Sequence, residues 1–486
     1  MSYLIWSLPS LVVAGAIGSG RFNTTRAAAL GLALAIPIAL LAGALPYGAP
    51  ELLQSVARGA WIGATIAPYI FGGLLFWLLA SRRSAISHAV DPAPAGAWEL
   101  LHQRRLLFCA CFLVGPFAES ATGSGVGMLA TVAVLRPLRI APRHLLVFAL
   151  LSQTMIPWGG MGNGTLLAAT YARIPGELLA LHAVPPTAVL MALWLLLFWR
   201  TAGAAGFDAP WPERLREIAW IGAGLGLLTL TIVFLGPEIS HLAAFGPLIV
   251  LRYLADVRPG WAAWVAMARR TLPYTALVAL LVTTRMQPEL RAALLAWWRV
   301  APFADLPAWS PLFHAGSWLA AAGLLSAIAR GQAARLPSAL REAWHTGRHA
   351  MASVVLFALM AEIMTASGIA QAIADGMFDG FGHHAVKLAA LVSSSLGMLT
   401  NSGAMPNSLF MPAQAAMAAQ AGLDIAAVAA FQHVSGTAMC LFSPVRMALA
   451  ASIANGSGAD RAIYLMLWPY AAGAVLVLQL LSLWTT

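Results

Sequence analysis

Two stretches of this chain set polar side chains in the middle of long apolar runs. The first reads Pro116-Phe117-Ala118-Glu119-Ser120-Ala121-Thr122-Gly123-Ser124-Gly125. The second reads Ser393-Ser394-Ser395-Leu396-Gly397-Met398-Leu399-Thr400-Asn401-Ser402-Gly403-Ala404-Met405-Pro406-Asn407-Ser408. Ser120, Thr122 and Ser124 in one, with Thr400, Asn401, Ser402, Asn407 and Ser408 in the other, supply directional hydrogen bonds. Gly123, Gly125 and Gly403 let the backbone approach a ligand closely. An interrupted helix also points unpaired N–H groups and a positive dipole end at the interruption. A carboxylate binds there without a full counter-charge. Asn163, in a later glycine-rich break, joins these candidates, and Arg285 and Arg446 are the candidate counter-charges. The chemistry is reversible binding of a small organic anion.

Three ionisable side chains lie inside apolar segments, where they are costly and default to functional candidates. They are Glu119 at the first tip, Glu362 eleven residues into its expected span, and His433 in a later helix. Burial disfavours the charged form of a carboxylate, which suits a proton carrier. Each has a plainer reading. Arg285 can be a snorkelling anchor, Arg446 can satisfy carbonyls freed by a break, Glu362 can bond a neighbouring helix, and His433 can be a packing residue. His345 and His349, four apart, read as part of a solvated basic loop rather than a metal site. No metal, catalytic residue or cofactor is expected.

The composition says what holds these residues. Of 486 residues, 9% are charged and 60% hydrophobic, with a mean hydropathy of +0.78. A soluble chain carries about 25% charged residues, and no soluble domain hides this much apolar surface. The net charge of +10 is spread in short clusters between apolar runs, as in cytoplasmic loops, so nucleic acid is not an expected partner. Cys109, Cys111 and Cys440 lie within apolar runs and predict no disulfide framework. The chain reads as an all-α polytopic membrane protein.

About 20 apolar residues cross the hydrocarbon core. Twelve crossings are predicted, near 3–20, 27–46, 61–80, 144–172, 184–199, 218–236, 239–254, 271–285, 311–328, 351–368, 425–459 and 463–483. The segments 106–135 and 386–421 remain. Each is about 30 apolar residues interrupted at its centre, and an arm of ~13 helical residues reaches only about 20 Å. Both therefore read as re-entrant hairpins, since irregular backbone at membrane depth must face protein or a watery cavity. Arg82, Arg83, Arg104, Arg105, Arg136, Arg139 and Arg143 flank the first, against Asp91 and Glu99. Asp375, Asp379 and Asp424 flank the second, with Lys387 the only nearby base. Opposite insertion from the two faces is the mark of an inverted repeat. The expected units are 1–200 with the first hairpin, linking helices in 201–270, and 271–486 with the second. Each hairpin precedes a broken helix, one interrupted at Pro157–Gly164, the other around Ser435-Gly436 and Ser443-Pro444. Gln153 and Gln432 lie 34 residues after Glu119 and Met398.

Phe117–Gly164 and Leu396–Asn455 resemble the L-lactate permease family of bacterial inner-membrane symporters. Pro273-Tyr274 followed by Thr284-Arg285, and Pro311-Leu312-Phe313, fit the same pattern. The resemblance implies proton-coupled uptake of lactate or glycolate, by elevator-type movement of a hairpin-bearing domain. The chain departs from the family at its tips: Ser120-Ala121-Thr122-Gly123-Ser124-Gly125 replaces a Gly-Ala-Ala-Gly-Phe-Gly pattern, and Met405-Pro406 interrupts the second polar series. Cys440 stands where the family often has a lysine, and Arg446, six residues further on, could supply that charge instead.

The expected function is thus a proton symporter of a small monocarboxylate in a bacterial inner membrane. Its partners are that anion, a coupling proton or sodium, and the bilayer, with homodimerisation left open. Rivals are a sodium-coupled carboxylate transporter of the same fold, a channel, and a membrane-embedded enzyme. The last would need a nucleophile–base pair or metal set that the spans do not offer.

Overall fold

The computed structural model describes residues 2–80, 97–123, 125–454 and 461–485. Ser124, Arg82, Arg83 and Asp91 lie outside the described residues. Apart from one bridge between Val300 and Trp309, the described chain is helices and their connections. It is an all-α polytopic membrane protein. Nine helices among the described residues are long and apolar enough to span a membrane, or ten if the bent pair Pro142–Leu151 and Ile156–Ala172 is one span. Twelve were expected. Ser2–Gly18 and Ala315–Ala329 are apolar but only 17 and 15 residues long. Pro237–Val257 has its apolarity diluted by Glu238, Arg252 and Asp256.

Two long helices form the spine of one helix group. Ala49–Ala80 and Leu336–Ala366 are 32 and 31 residues long, well beyond the expected 61–80 and 351–368. They run antiparallel: Gly59 abuts Leu359, Gly63 abuts Val355, and Gly347 abuts Leu74. Each has a parallel neighbour. Thr25 Oγ1 donates to His349 O (3.0 Å) and Leu45 N to Ser367 O (3.0 Å), setting Thr24–Ala42 alongside Leu336–Ala366. Gly316 abuts Pro68, Gly323 abuts Phe76, and Arg330 Nη1 reaches Ala80 O (3.2 Å), setting Ala315–Ala329 alongside Ala49–Ala80. His345 and His349 are exposed on the first half of Leu336–Ala366, not in a loop.

The second group holds the hairpins, both broken helices, Gly176–Ala204 and Arg461–Thr485. In the first hairpin, one continuous helical path runs from Ala97 through a π-helical turn at Ala110–Val114 to Thr122. That arm is longer than expected. The chain then reverses at Gly123–Gly125, both glycines at positive φ (72° and 84°), into Val126–Leu135. Thr131 Oγ1 donates to Ala110 O (3.0 Å) across the arms. In the second, Ala389–Thr400 reverses through Asn401, at φ 54°, into Ala404–Gln420. Asparagine tolerates that left-handed conformation better than most residues.

The hairpins come from opposite ends of Gly176–Ala204, a helix about 43 Å long by its rise. At its C-terminal end, Arg104 in the base of the first hairpin donates to Phe207 O (2.7 Å) and pairs with Glu217 (2.8 Å). At its N-terminal end, His182 meets Asp424, just past the second hairpin, at 3.2 Å. Arg104, a loop charge by its place in the sequence, is instead wholly buried, with its guanidinium over the Phe198 ring.

Candidate functional site

The first broken helix bends by 60° between Pro142–Leu151 and Ile156–Ala172. Gly160, Met161 and Gly162 all take positive φ there (54°, 60° and 66°). A non-glycine residue held left-handed is the kind of strain that collects at functional sites. The second broken helix runs unbroken through Ser435-Gly436, contrary to expectation, and breaks only at Cys440–Ser443. Gly436 serves close packing instead: a Cβ on Gly397 would sit 2.0 Å from Gly436 O. Ser443 caps the following half-helix Pro444–Ile453 by accepting from Arg446 N (3.1 Å), with proline in the first turn.

Glu119, at the first tip, is 5% exposed and works as a hydrogen-bond acceptor on both oxygens. Oε1 accepts from Gly125 N (3.1 Å), and Oε2 accepts from Gly127 N (2.9 Å) and from Gln153 Nε2 (3.1 Å). The carboxylate thus caps the start of the returning arm, where a negative charge complements the helix dipole.

From Glu119 a chain of contacts crosses the molecule. Gln153 sits in the first break, and its Oε1 accepts from Arg446 Nη1 (3.3 Å). Arg446 Nε donates to Asn401 Oδ1 (3.0 Å), which also accepts from Ser443 Oγ (2.9 Å). The sequence Glu119–Gln153–Arg446–Asn401 therefore links one hairpin tip to the other through both broken helices. Arg446 is part-buried and has no carboxylate partner among the described residues. It occupies the first turn of Pro444–Ile453, where a cation opposes the helix dipole. A bound carboxylate would offset both.

Around this network the expected ligands are unevenly committed. Thr122 and Thr400 hold matching positions, donating to Ala118 O and Leu396 O four residues back (both 2.7 Å). Ser120 Oγ donates to Trp158 O (3.1 Å), tying the first tip to the first break. Ser408 Oγ bonds Ala404 O (2.9 Å) and lies 3.3 Å from Tyr171 OH. Ser402, Gly403, Asn163 and Gly123 are part-exposed, as is Asn401. In the first break, Thr154 Oγ1 and Trp158 Nε1 are buried without a hydrogen-bond partner among the described residues. Such orphans in a native structure call for a water, an ion or a ligand.

His433 is fully buried and bridges the two halves. Its Nδ1 lies 2.9 Å from Asn407 Nδ2 and its Nε2 lies 3.0 Å from Thr165 Oγ1. Asn407 also donates to Gly403 O (2.9 Å), and Thr165 to Pro157 O (2.5 Å). Nδ1 is thereby the acceptor and Nε2–H the donor, the neutral imidazole tautomer.

Two candidates sit elsewhere. Arg285 pairs with Glu238 (2.8 Å), donates to Phe313 O (2.9 Å), and lies over the Phe313 ring. Tyr69 OH donates to the other Glu238 oxygen (2.7 Å). Glu362 was expected deep in its span; it is four residues from the C-terminal end of Leu336–Ala366. Arg58 Nε and Arg173 Nη2 each hold one of its oxygens at 2.7 Å.

In the sequence, spacing alone marks Gln153, while Glu238, Arg173 and Thr165 carry no local signal. Cavities of about 60 and 130 Å³ flank the second hairpin, against Phe410 and Ala413, away from Arg446. Their walls are mainly apolar, so the charged network is the better candidate for an anion. No cluster of three or more potential metal ligands occurs among the described residues.

Residues 308–471 match the family model described as L-lactate permease. This supports the family assignment suggested by the sequence motifs, over the part of the chain that carries the second hairpin, the second broken helix and Arg446. A search of curated proteins found no match. The family is one of lactate transporters, generally proton-coupled, so the match points to a transporter rather than an enzyme.

Proposed function

We propose that this multi-pass membrane protein is a proton symporter for a short monocarboxylate, L-lactate or glycolate, in a bacterial inner membrane. One observation carries the reading: Arg446 is fixed by Gln153 and Asn401 at a half-helix N-terminus, without a carboxylate partner among the described residues. The substrate carboxylate would lie against Arg446, with Asn401, Ser402 and Gly403 from one tip and Ser120, Gly123 and Asn163 from the other side. Thr122, Thr400, Asn407 and Ser408 would shape the tips. Their hydroxyl or amide donors already bond the backbone of their own helices.

Among the ionisable candidates we assign the coupling proton to Glu119, which reaches the anion site through Gln153. Protonation would weaken its acceptance of these three hydrogen bonds and set an O–H among the N–H donors, so proton occupancy and the closure of the first tip are linked. His433 is the second candidate, and Glu362 a structural bridge. The antiparallel long helices and the opposed hairpins support an inverted repeat, with units at 1–200 and 271–486 joined by 201–270. They suit elevator-type movement of the hairpin group.

The test is uptake into proteoliposomes. L-lactate accumulation under an inward pH gradient, lost in Arg446→Gln, is the expected result. Accumulation driven by sodium alone would transfer the reading to the sodium-coupled rival, and full activity of Arg446→Gln would remove the anion site from Arg446.

A further inference from the structure

Gln153 is 1% exposed, and both ends of its amide are engaged by opposite charges. Nε2 donates to Glu119 Oε2 (3.1 Å) and Ser152 Oγ (3.3 Å), while Oε1 accepts from Arg446 Nη1 (3.3 Å). The orientation is fixed by those neighbours, because turning the amide over would set oxygen against carboxylate and NH₂ against guanidinium.

We propose that Gln153 is a positioning residue that insulates Arg446 from Glu119, so that the guanidinium is anchored yet keeps its charge for the substrate. A carboxylate and a guanidinium close together in a low-dielectric site would pair directly and bidentately. The cation would then be spent within the protein, as Arg285 is spent on Glu238 and Arg104 on Glu217. A neutral amide of this length avoids that outcome. It gives Glu119 a donor and Arg446 an acceptor, and it removes neither charge. It also relates the two hairpin tips, since a displacement of Glu119 would pull on the residue that orients Arg446.

The inference rests on Arg446 as the anion site, and a double-mutant cycle separates the two. L-lactate binding is measured calorimetrically on full-length protein in detergent, with thermal melting as the folding control. Gln153→Glu sets a carboxylate against Arg446 and is expected to raise the Kd by roughly 30-fold or more, the size of a lost charge-assisted hydrogen bond. The new carboxylate also faces Glu119 and loses the donor to it, so the variant's melting temperature should fall, and binding is read well below the melting transition. Gln153→Met, similar in length but uncharged, should weaken binding several-fold less. In the Arg446→Gln background, Gln153→Glu should add no further loss. If Arg446→Gln abolishes binding while Gln153→Glu binds like the parent, insulation is wrong and the anion site stands. Equal losses in Gln153→Glu and Gln153→Met would reduce Gln153 to packing. Parent-like binding by Arg446→Gln would instead defeat the site reading itself.

Discussion

Arg173 and Glu362 meet at 2.7 Å, joining the end of the first broken helix to the end of a spine helix. Arg173 holds a left-handed cap at φ 56° after Gly159–Ala172, which aims its side chain across the boundary between the two helix groups. Arg58 bonds the other Glu362 oxygen and also grips Asp305, at 2.9 and 2.6 Å. Any movement of the hairpin group along the spine must break the Arg173 contacts.

The first prediction concerns Glu362. Its carboxylate is buried while Arg58 and Arg173 are 16% and 34% exposed, so water partly compensates a broken pair. Glu362→Gln should cost about 1–3 kcal/mol, below the 3–5 of a fully buried pair. Uptake by this variant should remain driven by the pH gradient. Thermal melting and proteoliposome uptake check both, and loss of proton coupling with unchanged stability would return Glu362 to the list of carriers.

Asp305 lies in the connection before Ala315–Ala329, outside the spanning segments, and gives the second prediction. Hydrogen bonds from Arg58 hold its carboxyl down to about 2, against roughly 3.9 in an unfolded chain. A group depressed on folding stabilises wherever it is ionised in both states. Its contribution is therefore complete above about pH 4 and fades as the pH falls towards about 2. Asp305→Asn should lower the melting temperature by the same amount at about pH 8 and about pH 5. A difference that shrinks between those values would contradict the assigned ion pair.

Arg285 and Arg446 could not be told apart in the sequence, and the reason is physical. The Arg285 partner, Glu238, lies 47 residues away on another helix, and nothing local announces the pairing. The tips and the first break were legible because glycine, proline and small polar residues interrupt apolar runs there for one reason, the need to leave helical geometry. Ser435-Gly436 misled because glycine has a second use, the close approach of Gly397 to its neighbour. The depth of Glu362 was misjudged because the basic, histidine-bearing start of Leu336–Ala366 looks like a solvated loop.

That distinction between the arginines yields the third prediction. Arg285→Gln would strand the Glu238 carboxylate with Tyr69 as its remaining hydrogen-bond donor, costing about 3 kcal/mol. Adding Glu238→Gln should recover most of that loss, since replacing both members of a pair is far cheaper than removing one. The doubly substituted protein should bind L-lactate with an affinity close to the parent. Loss of binding in a stably folded double variant would make Arg285 a substrate ligand after all.

Glu119 supplies the fourth. Three donors converge on its carboxylate, and Gln at this position would turn an NH₂ towards one or more of them. A protonated carboxyl likewise sets a donor among them and carries no charge, so Glu119→Gln imitates the protonated carrier at a cost of about 1–2 kcal/mol to the first tip. Accumulation under a pH gradient should vanish, because no proton can be released on the inside. Exchange of external for internal L-lactate needs no net proton movement and should persist at a reduced rate. Gradient-driven uptake at the parent rate would sink the assignment of Glu119 as carrier. Loss of uptake and exchange together, with a lowered melting temperature, would leave it a cap of the returning arm and move the search to His433. In that case Thr165→Val becomes the informative variant, since it removes the acceptor of the His433 Nε2–H without touching either tip.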